Sequence, residues 1–435
     1  MKILIKKIRN KTLNIGVIGM GYVGLPLAIL IAKKNYTVFG FDQDKKKINK
    51  LKKNISYINH ISAKDISKVT KEKKLLPTSN FNLLSEMDII IICVPTPLTK
   101  NKVPDLKHIN NAVKKIIERK KNKDQLIILE STTYPGTSNE LINTIFKKNK
   151  LTDGFNFFMS YSPEREDPGN KKFKTINIPK VIGADNKFSK KLIKEFYSRI
   201  FNKVVEVDSL AIAEATKIYE NIFRSINIAL VNEMKFAFSK IGIDIWKVIK
   251  ASSTKPFGFM PFYPGPGLGG HCIPIDPIYF SWQLNRYNFD CKFIKLAEKI
   301  NSNVPLKIVN KIKSLRNNHQ LKKILIVGLA YKKNIDDYRE SPSLFIMNKL
   351  LQNKFSVDYH DKFIKQIGQN RSYPNLKNKK NINISPNILK KYDLILLLTD
   401  HDYLNYNMIQ KNSKLIIDTR NSFSNSKNQK DIIKM

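Results

Sequence analysis

Short apolar runs separated by amphipathic stretches organise most of this chain. Leu13 to Ile18, Thr37 to Phe41, Met87 to Val94, Gln125 to Leu129 and Phe155 to Ser160 are rich in β-branched or aromatic residues and end in turn-forming residues. Continuous apolar runs of this length predict strands buried on both faces, the habit of parallel sheets covered by helices. From about Ser209 the period becomes helical and stays so to about Ser253, with a break expected at Gly242. A further helix is expected over about Lys292 to Asn317. Strand-like runs then return at Lys323–Val327, Ser356–Asp361, Asp393–Leu398 and Leu415–Asp418. Between them, Asn370 to Lys391 is rich in Asn, Lys, Ser and Pro and reads as loop and helix. The residues ahead of Leu13 read as a short basic lead. Apart from the return of an α/β layer, no internal repeat is visible.

The first two runs carry more than a pattern. Gly19-Met20-Gly21-Tyr22-Val23-Gly24 follows the first strand, an apolar helix is expected through about Lys33, and the second strand ends in Asp42. Strand, G-x-G-x-x-G, helix, strand and acid in this order form the fingerprint of a dinucleotide-binding βαβ unit. The glycines let the backbone approach a pyrophosphate, whose charge the helix N-terminus favours. Asp42 would accept from the ribose hydroxyls and repel a 2′-phosphate, which favours NAD over NADP; Lys45 to Lys47 weaken that exclusion. The later run Lys323–Val327 leads into Gly328-Leu329-Ala330-Tyr331-Lys332, which lacks the glycine spacing, so a second dinucleotide site is not expected. The fold class expected is α/β, with two Rossmann-like doubly wound domains joined by a central helical domain. The expected spans are 1–208, 209–317 and 318–435.

Composition changes this picture little. The chain has 435 residues, 42% of them hydrophobic, which is enough for sizeable cores. Its 77 Lys and Arg against 36 Asp and Glu give a net charge of +41, a value that suits nucleic-acid or membrane-surface binders. The lysines are nevertheless spread along the whole chain, with no basic block interleaved with aromatics, so no specific nucleic-acid partner is expected. Three cysteines, Cys93, Cys272 and Cys291, are too few for a disulfide framework or a paired-cysteine metal site, so no metal and a reducing, cytoplasmic setting are expected. Ile15 to Ala32 is uncharged for 18 residues, but its four glycines and Pro26 read as a turn rather than a membrane span.

The stretch Tyr263 to Pro277 holds four glycines and four prolines, together with a thiol, Cys272, and a carboxylate, Asp276. It reads as a backbone-permissive loop, and one carrying a nucleophile is a site candidate. A Pro/Gly connector with an incidental cysteine is the alternative. Upstream, Lys217, Asn221 and Arg224 fall at helical spacing on one face; a solvated surface would show the same pattern.

Taken together, these motifs resemble the UDP-glucose/GDP-mannose dehydrogenase family, and within it most the UDP-N-acetylglucosamine 6-dehydrogenases. The likeness runs from about Asn14 to about Ser422. It rests on Gly19 to Gly24, Val94-Pro95-Thr96-Pro97, Ser131-Thr132, Ser162-Pro163-Glu164-Arg165, Lys217 with Asn221, and Gly267 to Asp276. Gly328 to Lys333, Arg339-Glu340-Ser341-Pro342 and Asp418-Thr419-Arg420 complete it. The resemblance implies an NAD-binding domain, a central dimerisation domain carrying the cysteine loop, and a UDP-sugar-binding domain. It further implies a homodimer or larger homo-oligomer, and oxidation of a sugar C6 alcohol to a carboxylate in two hydride transfers.

Residue by residue, the family's roles fall on Cys272 as the nucleophile that holds the aldehyde, first as thiohemiacetal and then as thioester. Lys217 and Asn221 would stabilise alkoxide and tetrahedral species, Asp276 would take the alcohol proton, Thr132 would position water, and Glu164 would act as base in hydrolysis. Gly19, Gly21, Tyr22, Val23, Gly24, Asp42, Val94, Thr96, Ser131 and Thr132 would line NAD. The substrate would meet Glu164, Arg165, Lys217, Asn221, Arg224, Tyr263, Gly269, Lys332, Arg339 and Arg420. His271, next to the cysteine, is a weaker candidate for an activating base, since neighbours in an extended loop point apart. Many UDP-glucose members carry lysine where this chain has Ile275, which favours the N-acetylated-sugar branch. UDP-N-acetylglucosamine is therefore the expected substrate, for the synthesis of a surface polysaccharide such as lipopolysaccharide, O-antigen or capsule. UDP-glucose, the N-acetyl-manno and N-acetyl-galacto sugars and GDP-mannose are alternatives. A basic nucleic-acid- or membrane-associated protein, or a non-catalytic sugar-nucleotide binder, would be a different class.

Overall fold

A computed structural model describes the chain except residues 59–60, 100, 122, 167–174, 271–272, 371 and 425–430, and the side chains of 317 and 318. His271 and Cys272 therefore lie outside the described residues. The chain forms two compact units, Met1–Glu220 with Ile278–Asn288, and Asn221–Pro277 with Phe289–Met435.

The first unit is built on a sheet of β1 (Asn14–Ile18), β2 (Thr37–Phe41), β3 (Leu75–Thr78), β4 (Ile89–Ile92), β5 (Leu126–Leu129), β6 (Phe158–Tyr161), β7 (Lys180–Gly183) and β8 (Val204–Val207). Their order is β3-β2-β1-β4-β5-β6-β7-β8, parallel throughout except between β6 and β7. Strand order reverses beside β1, which is the switch point at which doubly wound sheets take ligands. Alternate residues of the apolar runs serve opposite faces. Ile89, Ile91, Leu126 and Ile128 join one core cluster, while Ile90, Ile92, Ile127 and Leu129 join the other. That double burial is why the runs are uninterrupted rather than alternating.

The second unit repeats the arrangement with β9 (Lys323–Val327), β10 (Ser356–His360), β11 (Leu394–Leu397), β12 (Ile416–Asp418) and β13 (Ile432–Lys434), in the order β10-β9-β11-β12-β13 and all parallel. Ile324 and Ile326 face one cluster and Leu325 and Val327 the other. Helices Leu210–Lys240, Ile245–Ser252 and Lys292–His319 supply the helical layer, with the break between the first two around Gly242 as expected.

Three local expectations need correction. The basic lead is a helix, Lys2–Asn10, that buries Leu4 and Ile8, and Lys7 and Asn14 N–H both reach the buried Asp88 carboxylate. The strand expected from Phe155 begins at Phe158, because Phe155 is 82% exposed in a turn around Gly154. Asp276 and Pro277 do not end the loop but open the helix Asp276–Asn285. Proline is at home in a first helical turn, where its missing N–H has no partner to lose.

Glu214 locks the Leu210–Lys240 helix to the turn after β5. Its carboxylate accepts Gly136 N–H (2.5 Å), Ser138 N–H (2.8 Å) and the Ser138 hydroxyl (2.7 Å). Burial still pushes its carboxyl up to about 7. A folded-state value above the unfolded one gives stability that is complete below about pH 4.5 and lost as pH rises through about 7, worth on the order of 3 kcal/mol. The fall in melting temperature between pH 5 and pH 7.5 is expected to be smaller in Glu214→Gln than in the parent chain. Equal falls in both would remove Glu214 as a source of the pH dependence.

Candidate active site

In the first unit, the turn after β1 is shaped by two glycines that no other residue could replace. Gly19 has φ +99°, and a Cβ there would sit 2.4 Å from Cys93 O. A Cβ on Gly24 would sit 1.9 Å from Gly19 O, so the helix Gly24–Lys33 can start only if this position has no side chain. Around Gly21 there is open space, where a diphosphate could come close to the backbone. Asp42, at the end of β2, accepts Met20 N–H at 3.0 Å and Asp44 N–H at 2.9 Å, and Lys47 Nζ lies 3.4 Å away. Its oxygens keep further lone pairs for ribose hydroxyls.

The other expected cofactor contacts lie at neighbouring strand ends of the same sheet. The Ser131 hydroxyl accepts Val94 N–H at 2.9 Å, which joins the ends of β4 and β5. Thr96 is buried, and its carbonyl accepts the Tyr279 hydroxyl at 2.8 Å. Thr132, Tyr22 and Val23 are half-buried. The residues present therefore fit a dinucleotide: a turn open around Gly21, a helix N-terminus and an acid placed to read a ribose at one switch point.

Glu164 is buried after β6, with Glu166 N–H on one oxygen at 2.8 Å and Lys180 Nζ 3.7 Å from the other. Arg165 turns the other way: it donates to Glu220 at 2.7 and 3.2 Å and to Pro179 O at 3.0 Å. Lys217 is buried on the Leu210–Lys240 helix and makes no ion pair among the described residues. A cation held this way suits a developing alkoxide.

In the second unit, Asn221 continues the same helix one turn on. Its amide donates to Asp276 Oδ2 at 2.6 Å, and both residues are buried. Arg224 shares the face by spacing, but its side chain is exposed. The Pro/Gly loop is held from several sides. Gly265 N–H donates to Asn232 Oδ1 at 3.1 Å, and a Cβ on Gly265 would meet Arg420 Nη1 at 2.8 Å. A Cβ on Gly269 would lie 2.5 Å from Tyr331, and Gly270 N–H donates to Arg339 O at 3.1 Å. Tyr263, 54% exposed, stacks on Trp246. Arg420 donates to Leu398 O and lies 3.8 Å from Asp400, while Arg339 is gripped by Asp337 and Lys332 is half-buried. The turn after β9 carries a carboxylate of its own: Leu329 and Ala330 N–H donate to Asp361 at 2.8 and 2.9 Å, and His401 lies 3.1 Å from it. A pyrophosphate would have to displace that internal anion.

Family models match three successive segments. Residues 13–201 match the NAD-binding domain of the UDP-glucose/GDP-mannose dehydrogenase family, 211–303 its central domain and 325–425 its UDP-binding domain. The chain belongs to this family. It is an NAD-dependent nucleotide-sugar dehydrogenase. It is 32% identical over 422 residues to a UDP-N-acetyl-D-mannosamine dehydrogenase of Methanocaldococcus jannaschii, covering 94% of this chain and 92% of that one. To a UDP-N-acetyl-D-glucosamine 6-dehydrogenase of Pseudomonas aeruginosa it is 33% identical over 360 residues, covering 81% and 84%. The solved UDP-D-ManNAc dehydrogenase of Pyrococcus horikoshii superposes with a TM-score of 0.85 at 28% identity, covering 97% of this chain and 98% of that one.

The sequence did not single out Glu130, Lys180 and Tyr197 of this dehydrogenase, which form a buried cluster beside Glu164, or Asn232, which holds the loop. Glu130 was open to detection as a carboxylate at a strand end, directly before Ser131. Lys180 had no such signal among 77 Lys and Arg. Among the described residues no His, Cys, Asp and Glu group could hold a metal, and no helix is long and apolar enough to cross a membrane.

Proposed function

We propose that this dehydrogenase oxidises the C6 alcohol of a UDP-N-acetylhexosamine to the uronic acid, in the cytoplasm, for surface polysaccharide synthesis. The observation that carries the reading is the buried Asn221–Asp276 hydrogen bond of 2.6 Å beside the Pro/Gly loop. A buried carboxylate held in place by an amide donor can take a proton without losing its place. Asp276 takes the C6 hydroxyl proton, and Lys217 and Asn221 stabilise the oxyanion as hydride leaves carbon. The Cys272 thiolate adds to the aldehyde, and the thiohemiacetal loses a second hydride to become a thioester. Water, positioned by Thr132 and deprotonated by Glu164, releases the acid. The Gly19–Gly24 turn, Asp42, Val94, Thr96, Ser131 and Thr132 would hold NAD⁺, which would supply the hydride acceptor for both oxidations. Arg165, Arg224, Tyr263, Gly269, Lys332, Arg339 and Arg420 are assigned to the sugar nucleotide, with Arg420 near the diphosphate.

UDP-N-acetylglucosamine is our first reading; Ile275, where a lysine would suit plain UDP-glucose, supports the N-acetylated branch. The manno epimer is the second reading, favoured by the names of the M. jannaschii and P. horikoshii relatives, which match nearly end to end. The spans 1–208, 209–317 and 318–435 are kept as the functional domains. Exposed Tyr219, Phe223 and Leu230 on the long helix support a homodimer. A panel of UDP-sugars and GDP-mannose, with NADH and product both measured, tests the reading. A UDP-N-acetylhexosamine should be the preferred substrate and give about two NADH per acid formed, one for each hydride transfer. A single NADH with free aldehyde, or preference for UDP-glucose, would overturn it.

A further inference from the structure

Behind Glu164 lies a set of buried groups that the reaction above does not use. Lys180, the first residue of β7, is 5% exposed, and its ammonium lies 2.9 Å from Glu130 Oε2 and 3.7 Å from Glu164 Oε2. Glu130, at the end of β5, is 1% exposed, and its other oxygen accepts the Tyr197 hydroxyl from the helix Lys187–Tyr197. The rings of Tyr197 and Phe201 lie 5.4 and 5.3 Å from the ammonium and close the far side. Glu166 accepts from Thr175 and gives its N–H to Glu164 Oε1 at 2.8 Å. Glu164 is therefore approached on both oxygens, by an amide on one and an ammonium on the other.

Among the described residues Glu130 and Glu164 share the Lys180 ammonium, with the half-buried Glu166 next to Glu164, and a buried carboxylate without a cation is costly. Burial, helped by the charge of Glu164, pushes Glu166 up to about 7. Burial also pushes Glu130 up and works against the charge on Lys180, but the two carboxylates more than offset this and leave Lys180 above the ordinary lysine value. The Cys93 thiol at the end of β4 is pushed well up by burial and by Glu130 and stays neutral, with Lys217 of the long helix acting in the opposite sense. Arg165, next in sequence to Glu164, is turned to Glu220 instead.

We propose that Lys180 is a positioning residue for thioester hydrolysis: standing between Glu130 and Glu164, it holds the Glu164 carboxylate in one orientation from the side opposite the Glu166 amide. The inference rests on the thioester reading. In that step the water oxygen bonds to the thioester carbon and its proton passes to Glu164. The tetrahedral adduct then collapses, the C–S bond breaks, and its electron pair leaves on the Cys272 sulfur. No oxidant or reductant is needed.

The test compares the full-length protein with Lys180→Met and Lys180→Arg in rapid-mixing and steady-state assays with NAD⁺ and the preferred UDP-sugar, from pH 6 to pH 10. Lys180→Met should form about two NADH per site at the parent rate and then stall with the thioester on the protein, detected as added mass. Its steady-state rate at pH 7 should fall about tenfold or more, with the rising limb of the pH profile displaced upward by about one unit and KM little changed. Lys180→Arg, which keeps the charge, should restore the profile. If Lys180→Met does not fold, Lys180→Met with Glu130→Gln removes the stranded carboxylate and should show the same late stall. A slowed burst with an unmoved profile would assign Lys180 to stability and overturn the inference, while two NADH in the parent protein would leave the reaction itself standing. One NADH in the parent protein would overturn the reaction first.

Discussion

Cys272→Ser is expected to lower turnover by at least about 10³-fold, the scale on which loss of a nucleophile acts in covalent catalysis. A thiol ionises near pH 8.5 and is a strong nucleophile as thiolate, whereas a hydroxyl is barely ionised at neutral pH. The serine would therefore add slowly to the aldehyde. Any ester that formed would also hydrolyse slowly, because an alkoxide is a poorer leaving group than a thiolate. The expected record is a small NADH burst, no steady state, and a covalent sugar-nucleotide adduct on the protein. Unchanged turnover would remove Cys272 from the mechanism and return the Pro/Gly stretch to the status of a connector. Since Cys272 lies outside the described residues, this prediction stands on the chemistry of a four-electron oxidation and on the loop that carries the residue.

What could be read from the sequence was what local rules enforce. Gly19 and Gly24 were legible because a tight turn tolerates no Cβ there: one on Gly19 would sit 2.4 Å from Cys93 O, and one on Gly24 would sit 1.9 Å from Gly19 O. The four isoleucines of β4 were legible because both faces of that strand are buried. What could not be read depends on partners distant in sequence. The Lys2–Asn10 helix buries only two side chains and is fixed by Lys7 reaching Asp88, 81 positions away. Strand β7 is four residues long, and its lysine gains meaning only from Glu130, 50 positions earlier. In a chain where lysine fills most surfaces, a buried one has no distinguishing neighbour. Asp276 falls between these cases. An acid followed by proline and then apolar residues is a helix start that could have been read, but the proline-rich stretch before it disguised the boundary.

Asn221 offers the next largest expected effect. Its amide is the donor to Asp276 Oδ2 at 2.6 Å, so it orients the carboxylate and satisfies a buried oxygen. Asn221→Ala removes both services and the donor proposed for the oxyanion, and should lower kcat by about 10²–10³ with KM changed by less than about threefold. Asn221→Asp should be as slow at neutral pH for a different reason. Two buried carboxylates at hydrogen-bond distance cannot both ionise, so the pair retains one proton, and further ionisation is pushed to higher pH. Below that second ionisation the shared proton rebuilds an O–H···O bond where the amide stood. Activity relative to Asn221→Ala should accordingly rise as pH falls and vanish as pH rises through the second ionisation. If the two variants keep parallel pH profiles, the Asn221–Asp276 contact acts only in packing, and Asp276 is not the group that takes the C6 proton.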